Sequence, residues 1–274
     1  MVEIINTLQW WDYFAIFLIL FFGLPHGAFD AAVGMSIGLY DNNRNKFIFL
    51  ISYALSSILV IALWYFFPQY LLILFLLVSI FHFGLGDMQW NNNFSYYLSG
   101  YFNGGIIIFG ISFLNFIEVN SIYSILVQGN TDLVWQFLKV GFILWVLSCP
   151  IYFYKNWENL EMKYYFILIL LLAVIYFFPP LISFAIYFCF IHSYNHIKRI
   201  IPALKKTQTI KSIYKMFLFF TFVSWFIGFI ALFLLVQGNS FSDSILRLTF
   251  IGLAALTFPH MILVDVFFRP KLKI

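Results

Sequence analysis

The amino-acid sequence predicts an all-α, polytopic transmembrane helical bundle. Of its 274 residues, 63% are hydrophobic and only 9% are charged, and the mean hydropathy is +0.94. A soluble domain carries about 25% charged residues. The apolar runs continue over about 20 residues, the length of a membrane-spanning helix, and do not alternate with polar residues as the strands of a transmembrane barrel do.

Apolar runs bounded by charges and turn residues predict about nine spanning helices. The predicted spans are 10–29, 47–67, 70–90, 98–117, 133–154, 164–178, 181–198, 215–236 and 247–268. The boundaries at Pro68 and at Pro179-Pro180 lie in charge-free stretches, where a proline either ends a helix or kinks a longer one. No repeat or soluble segment interrupts the pattern, so residues 1–274 are expected to form a single integral-membrane domain.

The basic residues support the breaks at both proline sites. With nine spans and an external N-terminus, 13 of the 15 Lys and Arg residues face inside. They are Arg44, Lys46, Lys155, Lys163, Lys198, Arg199, Lys205, Lys206, Lys211, Lys215, Arg269, Lys271 and Lys273. The positive-inside rule therefore favours an N-out, C-in topology. These residues lie in loops rather than along one face, which argues against nucleic-acid binding.

The first 43 residues contain no basic residue, which argues against a cleaved signal peptide. We therefore expect a multi-pass protein of the cell membrane. Two glycine pairs, Gly34 with Gly38 and Gly100 with Gly104, have the spacing that lets membrane helices approach closely. We expect both pairs to serve packing.

All five histidines lie within predicted spans or at their edges. They are His26, His82, His192, His196 and His260. Each lies about 11 to 16 residues past the outer end of its helix, or about 17–24 Å along the axis. They therefore share one layer in the inner half of the bilayer, where ionisable groups are costly and usually functional. His192 and His196, four residues apart, can offer two imidazoles to a metal, and His26 and His82 would complete a set of four.

Three histidines are followed by an aspartate at nearly constant spacing. The pairs are His26 with Asp30, His82 with Asp87 and His260 with Asp265. A carboxylate so placed can accept the second ring N–H of a ligating histidine, on its own helix or a neighbouring one. The alternative is that these aspartates cap helix ends. Pro25 and Pro259, next to His26 and His260, predict local kinks where a widened helix could admit a ligand.

Imidazole ligands leave iron and zinc open, since the sequence offers no thiolate-rich or carboxylate-rich site. Membrane di-iron desaturases use about eight histidines, so five favour a mononuclear site. A b-type haem protein and an ion transporter are alternatives. Lys139, within a predicted span, makes a retinal Schiff base conceivable, although nine spans and the histidine layer argue against an opsin.

The histidines lie in four distinctive segments, GLPHGAFD at 23–30, FHFGLGD at 81–87, YFCFIHSYNH at 187–196 and PHMILVD at 259–265. These segments resemble the signatures of the Brp/Blh family, the bacterial and archaeal membrane β-carotene 15,15'-dioxygenases. The resemblance covers nearly the entire chain, in order. Asn195 stands where the family's third signature carries arginine.

The resemblance implies a mononuclear, non-haem Fe2+ held by His26, His82, His192 and His196. His260 would be a fifth ligand or a neighbour of the ligands. The aspartates that would support the ligands are Asp30, Asp87 and Asp265. The aromatic candidates for lining a substrate slot are Phe81, Phe83, Tyr187 and Phe188.

The implied reaction is cleavage of β-carotene by O2 at the central 15,15' double bond, which gives two molecules of all-trans-retinal. The implied setting is a prokaryotic cell membrane, with hand-over of retinal to a microbial rhodopsin. The alternative from another class is a non-catalytic metal or haem protein that uses the same histidines for transport or electron transfer.

Overall fold

The computed structural model describes residues 8–87 and 94–269. The described residues are mostly helical and contain no strand. The predicted end of a span at residue 90, and Lys271 and Lys273, lie outside these ranges. The chain divides into two compact units, the first comprising Met1–Ala15 and Pro68–His192 and the second Ile16–Phe67 and Ser193–Ile274.

Twelve α-helices occur in the described residues. They are α1 (Trp10–Leu18), α2 (Asp30–Ser36), α3 (Asn43–Phe66), α4 (Pro68–Gly86), α5 (Phe94–Leu114), α6 (Phe116–Val127), α7 (Asp132–Asn156), α8 (Met162–Phe177), α9 (Pro180–Ile186), α10 (Tyr194–Leu204), α11 (Ile210–Val236) and α12 (Phe241–Met261). The predicted breaks at Pro68 and at Pro179-Pro180 are confirmed, because α4 and α9 begin at prolines. The ring is tolerated in a first turn, where the missing N–H has no helical partner.

Seven helical stretches in the described residues are long and apolar enough to cross a membrane. They are Trp10–Ser36, Asn43–Phe66, Pro68–Gly86, Tyr96–Leu114, Asp132–Asn156, Ile210–Val236 and Phe241–Phe268. Met162–Phe177 and Phe116–Val127 are shorter apolar helices. The helical, multi-pass character predicted from the sequence is thus confirmed.

Three π-helical segments interrupt the regular helices close to histidines. Ile19–Gly23 leads into a 3-10 segment, Leu24–Phe29, that carries His26. Tyr187–Ser193 carries His192, and Ile262–Phe268 begins two residues after His260. Widened turns of this kind are frequent at functional sites, and those beside Pro25 and Pro259 were expected. The segment around His192 contains no proline and was not expected.

In the first unit, glycines let α4 and α5 approach closely. A Cβ added to Gly84 would overlap the carbonyl of Gly100, and one added to Gly104 would overlap the carbonyl of Ile80. The predicted packing role of the pair Gly100 and Gly104 is therefore confirmed. This contact fixes the position of α4, the helix that carries His82.

The second unit has a buried apolar core, which is formed by residues from several of its helical segments. Its members are Phe29, Ala32, Val33, Ile200, Leu204, Ile213, Leu263 and Phe268. Gly34 contacts Phe49, but Gly38 does not pack as expected: it lies at φ +89° and ends α2. The N–H of Leu39 donates to the carbonyl of Gly34 at 2.9 Å, a helix-ending arrangement that needs a left-handed residue.

Candidate metal centre

The second unit brings three imidazoles into one buried cluster. The residues His26, His196 and His260 are only 6%, 7% and 3% exposed. Their ring centroids are 5.2 Å apart for His26 and His196, 5.3 Å for His26 and His260, and 5.0 Å for His196 and His260. Three rings from three separate helical segments thus form a nearly equilateral triangle.

These separations match those of imidazoles that bind one ion. A metal–nitrogen bond of about 2.1 Å, with about 1.2 Å from nitrogen to ring centre, puts each centroid about 3.3 Å from the ion. Two such centroids are about 4.7 Å apart at a right angle and about 5.4 Å apart at a tetrahedral angle. The observed distances lie between these values, so the triangle is compatible with a shared metal.

The Nδ1 atom of His26 is committed to the protein backbone. Its N–H donates to the carbonyl of Gly23, with a nitrogen–oxygen distance of 2.6 Å, and lies 3.1 Å from Oγ of Ser193. The Ser193 hydroxyl in turn donates to the same Gly23 carbonyl at 3.3 Å. Because the Nδ1 carries the proton, the lone pair resides on Nε2, the tautomer that metal-binding histidines usually adopt.

His260 is oriented by a carboxylate. Its Nδ1–H donates to Oδ1 of Asp30 at 2.8 Å, and the hydroxyl of Tyr53 donates to Oδ2 of the same carboxylate at 2.7 Å. Asp30 is only 4% exposed. A carboxylate on one ring nitrogen fixes the tautomer and raises the basicity of the other.

Two of the three aspartates have different kinds of partner. Asp30 bonds to His260, on a distant helix, rather than to His26 four residues earlier. Asp265 forms an ion pair with Arg269, with a nitrogen–oxygen distance of 2.7 Å. Asp30 therefore supports a histidine on another helix, which is one of the two arrangements expected from the sequence.

The first unit holds the other two histidines. The ring centroids of His82 and His192 are 5.0 Å apart, and the two residues are 3% and 1% exposed. Oδ1 of Asp87 lies 3.8 Å from Nδ1 of His192, too far for a hydrogen bond. The hydroxyl of Tyr187 donates to Oδ2 of Asp87 at 2.6 Å.

The aromatic candidates take distinct positions within this unit. Phe83 and Phe188 are buried and pack against His192, with ring centroids 4.8 Å and 6.0 Å away. Phe81 stacks on Tyr101 at 5.9 Å. Tyr187, through its bond to Asp87, supports a carboxylate, a role the sequence did not indicate.

Two residues that contact the histidine network were missed by sequence reasoning. Ser193 lies between His192 and His196, inside the segment 187–196. A hydroxyl next to a candidate ligand was the sequence feature that could have indicated a hydrogen bond to a histidine. Tyr53 lies on α3 in no motif, and only packing brings it to Asp30. The helical spacing of His192 and His196 is also irregular, since His192 belongs to a π segment and His196 to α10.

Comparison with known proteins decides the family. A family model described as beta-carotene 15,15'-dioxygenase matches residues 17–268. The chain is also 35% identical, over 263 residues, to a beta-carotene 15,15'-dioxygenase of uncultured marine bacterium 66A03, and the match covers 94% of each chain. The chain belongs to the β-carotene 15,15'-dioxygenase family.

Family membership confirms the resemblance seen in the four signature segments. The matched range includes all five histidines and the three aspartates that follow them. No solved structure matches this chain.

Proposed function

We propose that this protein cleaves β-carotene at its central 15,15' double bond with O2 and releases two molecules of all-trans-retinal. The observation that carries the proposal is the family match over residues 17–268, which contains every buried histidine described above. The 35% identical bacterial relative with the same activity in its name supports it.

The reaction balances without a further reductant. Both bonds of the central C=C are broken, each of the two carbons gains one oxygen atom of O2, and the four electrons needed come from the carotene. The carotene partitions into lipid, so a site within a helical membrane protein can receive it without passage through water. The chain has no need to bind a redox cosubstrate for this step.

We propose that a mononuclear, non-haem Fe2+ is the cofactor, held by His26, His82, His192 and His196. Buried imidazoles suit iron, and no thiolate-rich cluster competes in the described residues. Activation of O2 is the chemistry that the ion supplies when bound. The triangle of His26, His196 and His260 supports a direct ligand role for His260 as well.

The residues around these histidines have separate roles in the proposal. The Gly23 carbonyl and Asp30 hold the Nδ1 atoms of His26 and His260, which leaves each Nε2 as the ligand atom. Phe83 and Phe188 pack against His192 and exclude water from it. A rigid apolar wall beside the histidines would hold the central bond of the polyene in position for attack.

We further propose that the chain forms a single integral-membrane domain with nine spans, N-out and C-in, in a prokaryotic cell membrane. The seven long apolar helices support a multi-pass protein, and the basic residues of the predicted inner loops support the orientation. The bacterial source of the relative supports a prokaryotic setting. Since retinal is the chromophore of microbial rhodopsins, a rhodopsin of the same membrane is the proposed recipient.

The test is expression in cells that accumulate β-carotene, followed by chromatography of the extracted pigments. We expect retinal without longer apocarotenals from the wild type, and no retinal from His192→Ala. Lys139→Ala is the control, because Lys139 is an exposed residue of α7 and should not affect cleavage. Unchanged carotene despite membrane expression of the wild type in iron-supplemented cells would contradict the proposal and favour a non-catalytic metal or haem protein.

A further inference from the structure

We propose that Tyr53 is a positioning residue, whose hydroxyl holds the Asp30 carboxylate in the orientation that directs Nε2 of His260 to the bound metal. The inference rests on the proposed metal site and deepens it. Nothing in the sequence motifs points to Tyr53, which lies on α3, a helix that exposes most of its surface.

Two short hydrogen bonds connect the three side chains. The Tyr53 hydroxyl lies 2.7 Å from Oδ2 of Asp30, and Nδ1 of His260 lies 2.8 Å from Oδ1. Each carboxylate oxygen therefore has its own donor. Since the torsion about the Cβ–Cγ bond of an aspartate is soft, two donors on opposite oxygens fix the carboxylate plane that neither fixes alone.

Because Asp30 and His260 are buried, the orientation of the carboxylate depends on its protein partners. Asp30 is 4% exposed and His260 is 3% exposed, so water cannot readily replace a lost donor. Removal of the tyrosine hydroxyl leaves Oδ2 of a buried carboxylate short of a partner, and the carboxylate is then free to turn toward other donors. The imidazole that it holds would lose its fixed direction.

Tyr53 is the residue of α3 that donates a hydrogen bond to Asp30. The hydroxyls of Ser56 and Ser57, one turn further along α3, both donate to the backbone carbonyl of Tyr53 and stay on their own helix. Tyr65 on the same helix is 77% exposed. The α3 helix thus carries one tyrosine that supports the site and one that serves as a matched control.

The first unit contains a looser version of the same arrangement. Tyr187 donates to Asp87 at 2.6 Å, but the carboxylate is 3.8 Å from Nδ1 of His192. A tyrosine on an aspartate that faces a histidine thus occurs twice. Only with Asp30 do both distances allow hydrogen bonds, which is why Tyr53 is the residue for which a positioning role is inferred.

The first experiment measures iron affinity and turnover of purified, detergent-solubilised Tyr53→Phe. The affinity for Fe2+, from competition with a colorimetric chelator, should fall about tenfold, because loss of an outer partner typically weakens metal binding by that order. We expect kcat to fall and KM for β-carotene to stay at the wild-type value, since Tyr53 acts on the metal site. Tyr65→Phe should match the wild type in all three quantities.

A second experiment tests whether Tyr53 acts through Asp30. In an Asp30→Ala background, or Asp30→Val if the alanine variant fails to fold, the further change Tyr53→Phe should leave iron affinity unchanged, because the carboxylate that joins Tyr53 to His260 is absent. Effects of the two substitutions that simply add would overturn the proposed connection.

The outcomes separate this inference from the proposed function. If the wild type binds iron and makes retinal while Tyr53→Phe has the same iron affinity within about twofold, the positioning role is wrong and the function stands. If the wild type neither binds iron nor makes retinal, the proposed function fails and the inference fails with it.

Discussion

Replacement of Gly104 by alanine tests the packing that positions α4. The Cβ of alanine would lie 2.6 Å from the carbonyl carbon of Ile80 and closer still to its oxygen, and both atoms are backbone. Because neither can rotate away, α4 and α5 must separate. Ile80 is two residues before His82, so the displacement reaches the histidine pair of the first unit.

The magnitude follows from two opposing effects. Alanine in place of glycine in an unobstructed helix stabilises by about 0.5–1 kcal/mol, whereas an overpacked interior costs about 1–3 kcal/mol or more. Gly228→Ala is the matched control, since a Cβ at Gly228 on α11 meets no atom within 4 Å. Gly104→Ala should therefore be less stable than Gly228→Ala by about 1–3 kcal/mol.

The assay is thermal unfolding of both purified variants in one detergent, together with their retinal yield. We expect the apparent Tm of Gly104→Ala to lie about 5 °C below that of Gly228→Ala, and its retinal yield to fall. A Tm for Gly104→Ala equal to or above that of the control would refute the close approach of α4 and α5.

Three further predictions concern the histidines and the topology. Ser193→Ala should lower iron affinity by no more than about tenfold, because the backbone carbonyl still accepts from Nδ1 of His26, and chelator competition measures it. His260→Ala should reduce the iron bound per chain, by metal analysis, whereas a wild-type content would exclude it as a ligand. Single cysteines in a background without the two natural ones should be labelled by an impermeant thiol reagent from inside at Lys206 and from outside at Asn239. Labelling from the opposite sides would contradict the proposed orientation, and labelling of both from one side would contradict a membrane crossing between them.

Most helices could be predicted because continuous apolar runs and prolines mark them directly. Helix α6, Phe116–Val127, was not predicted, because Glu118 and Asn120 interrupt the apolar pattern. In the structure the Asn120 side chain accepts hydrogen bonds from Thr131 and Trp135. The donors lie at the start of α7 and within it, so the next helix along the chain satisfies this polar side chain. Such a partner is not visible in a local sequence window.

The site was predictable in its composition and less so in its connections. Histidines in an apolar chain are conspicuous, and their burial agrees with the expectation. The spacing of His26 and Asp30 left the partner of the carboxylate open between a histidine on its own helix and one on a neighbouring helix, and helix packing places Asp30 against His260. Tyr53 had no signal, since a tyrosine in an aromatic-rich chain is ordinary until its hydroxyl partner is known.

The most direct test of the central claim is a parallel measurement of iron and retinal on the purified protein in lipid nanodiscs with β-carotene and O2. The account predicts that retinal formation rises with bound Fe2+ to about one ion per chain, at two retinal per carotene consumed, and is lost with His192→Ala along with the iron. Retinal formation at the full rate in metal-free protein, or in His192→Ala without iron, would contradict the account.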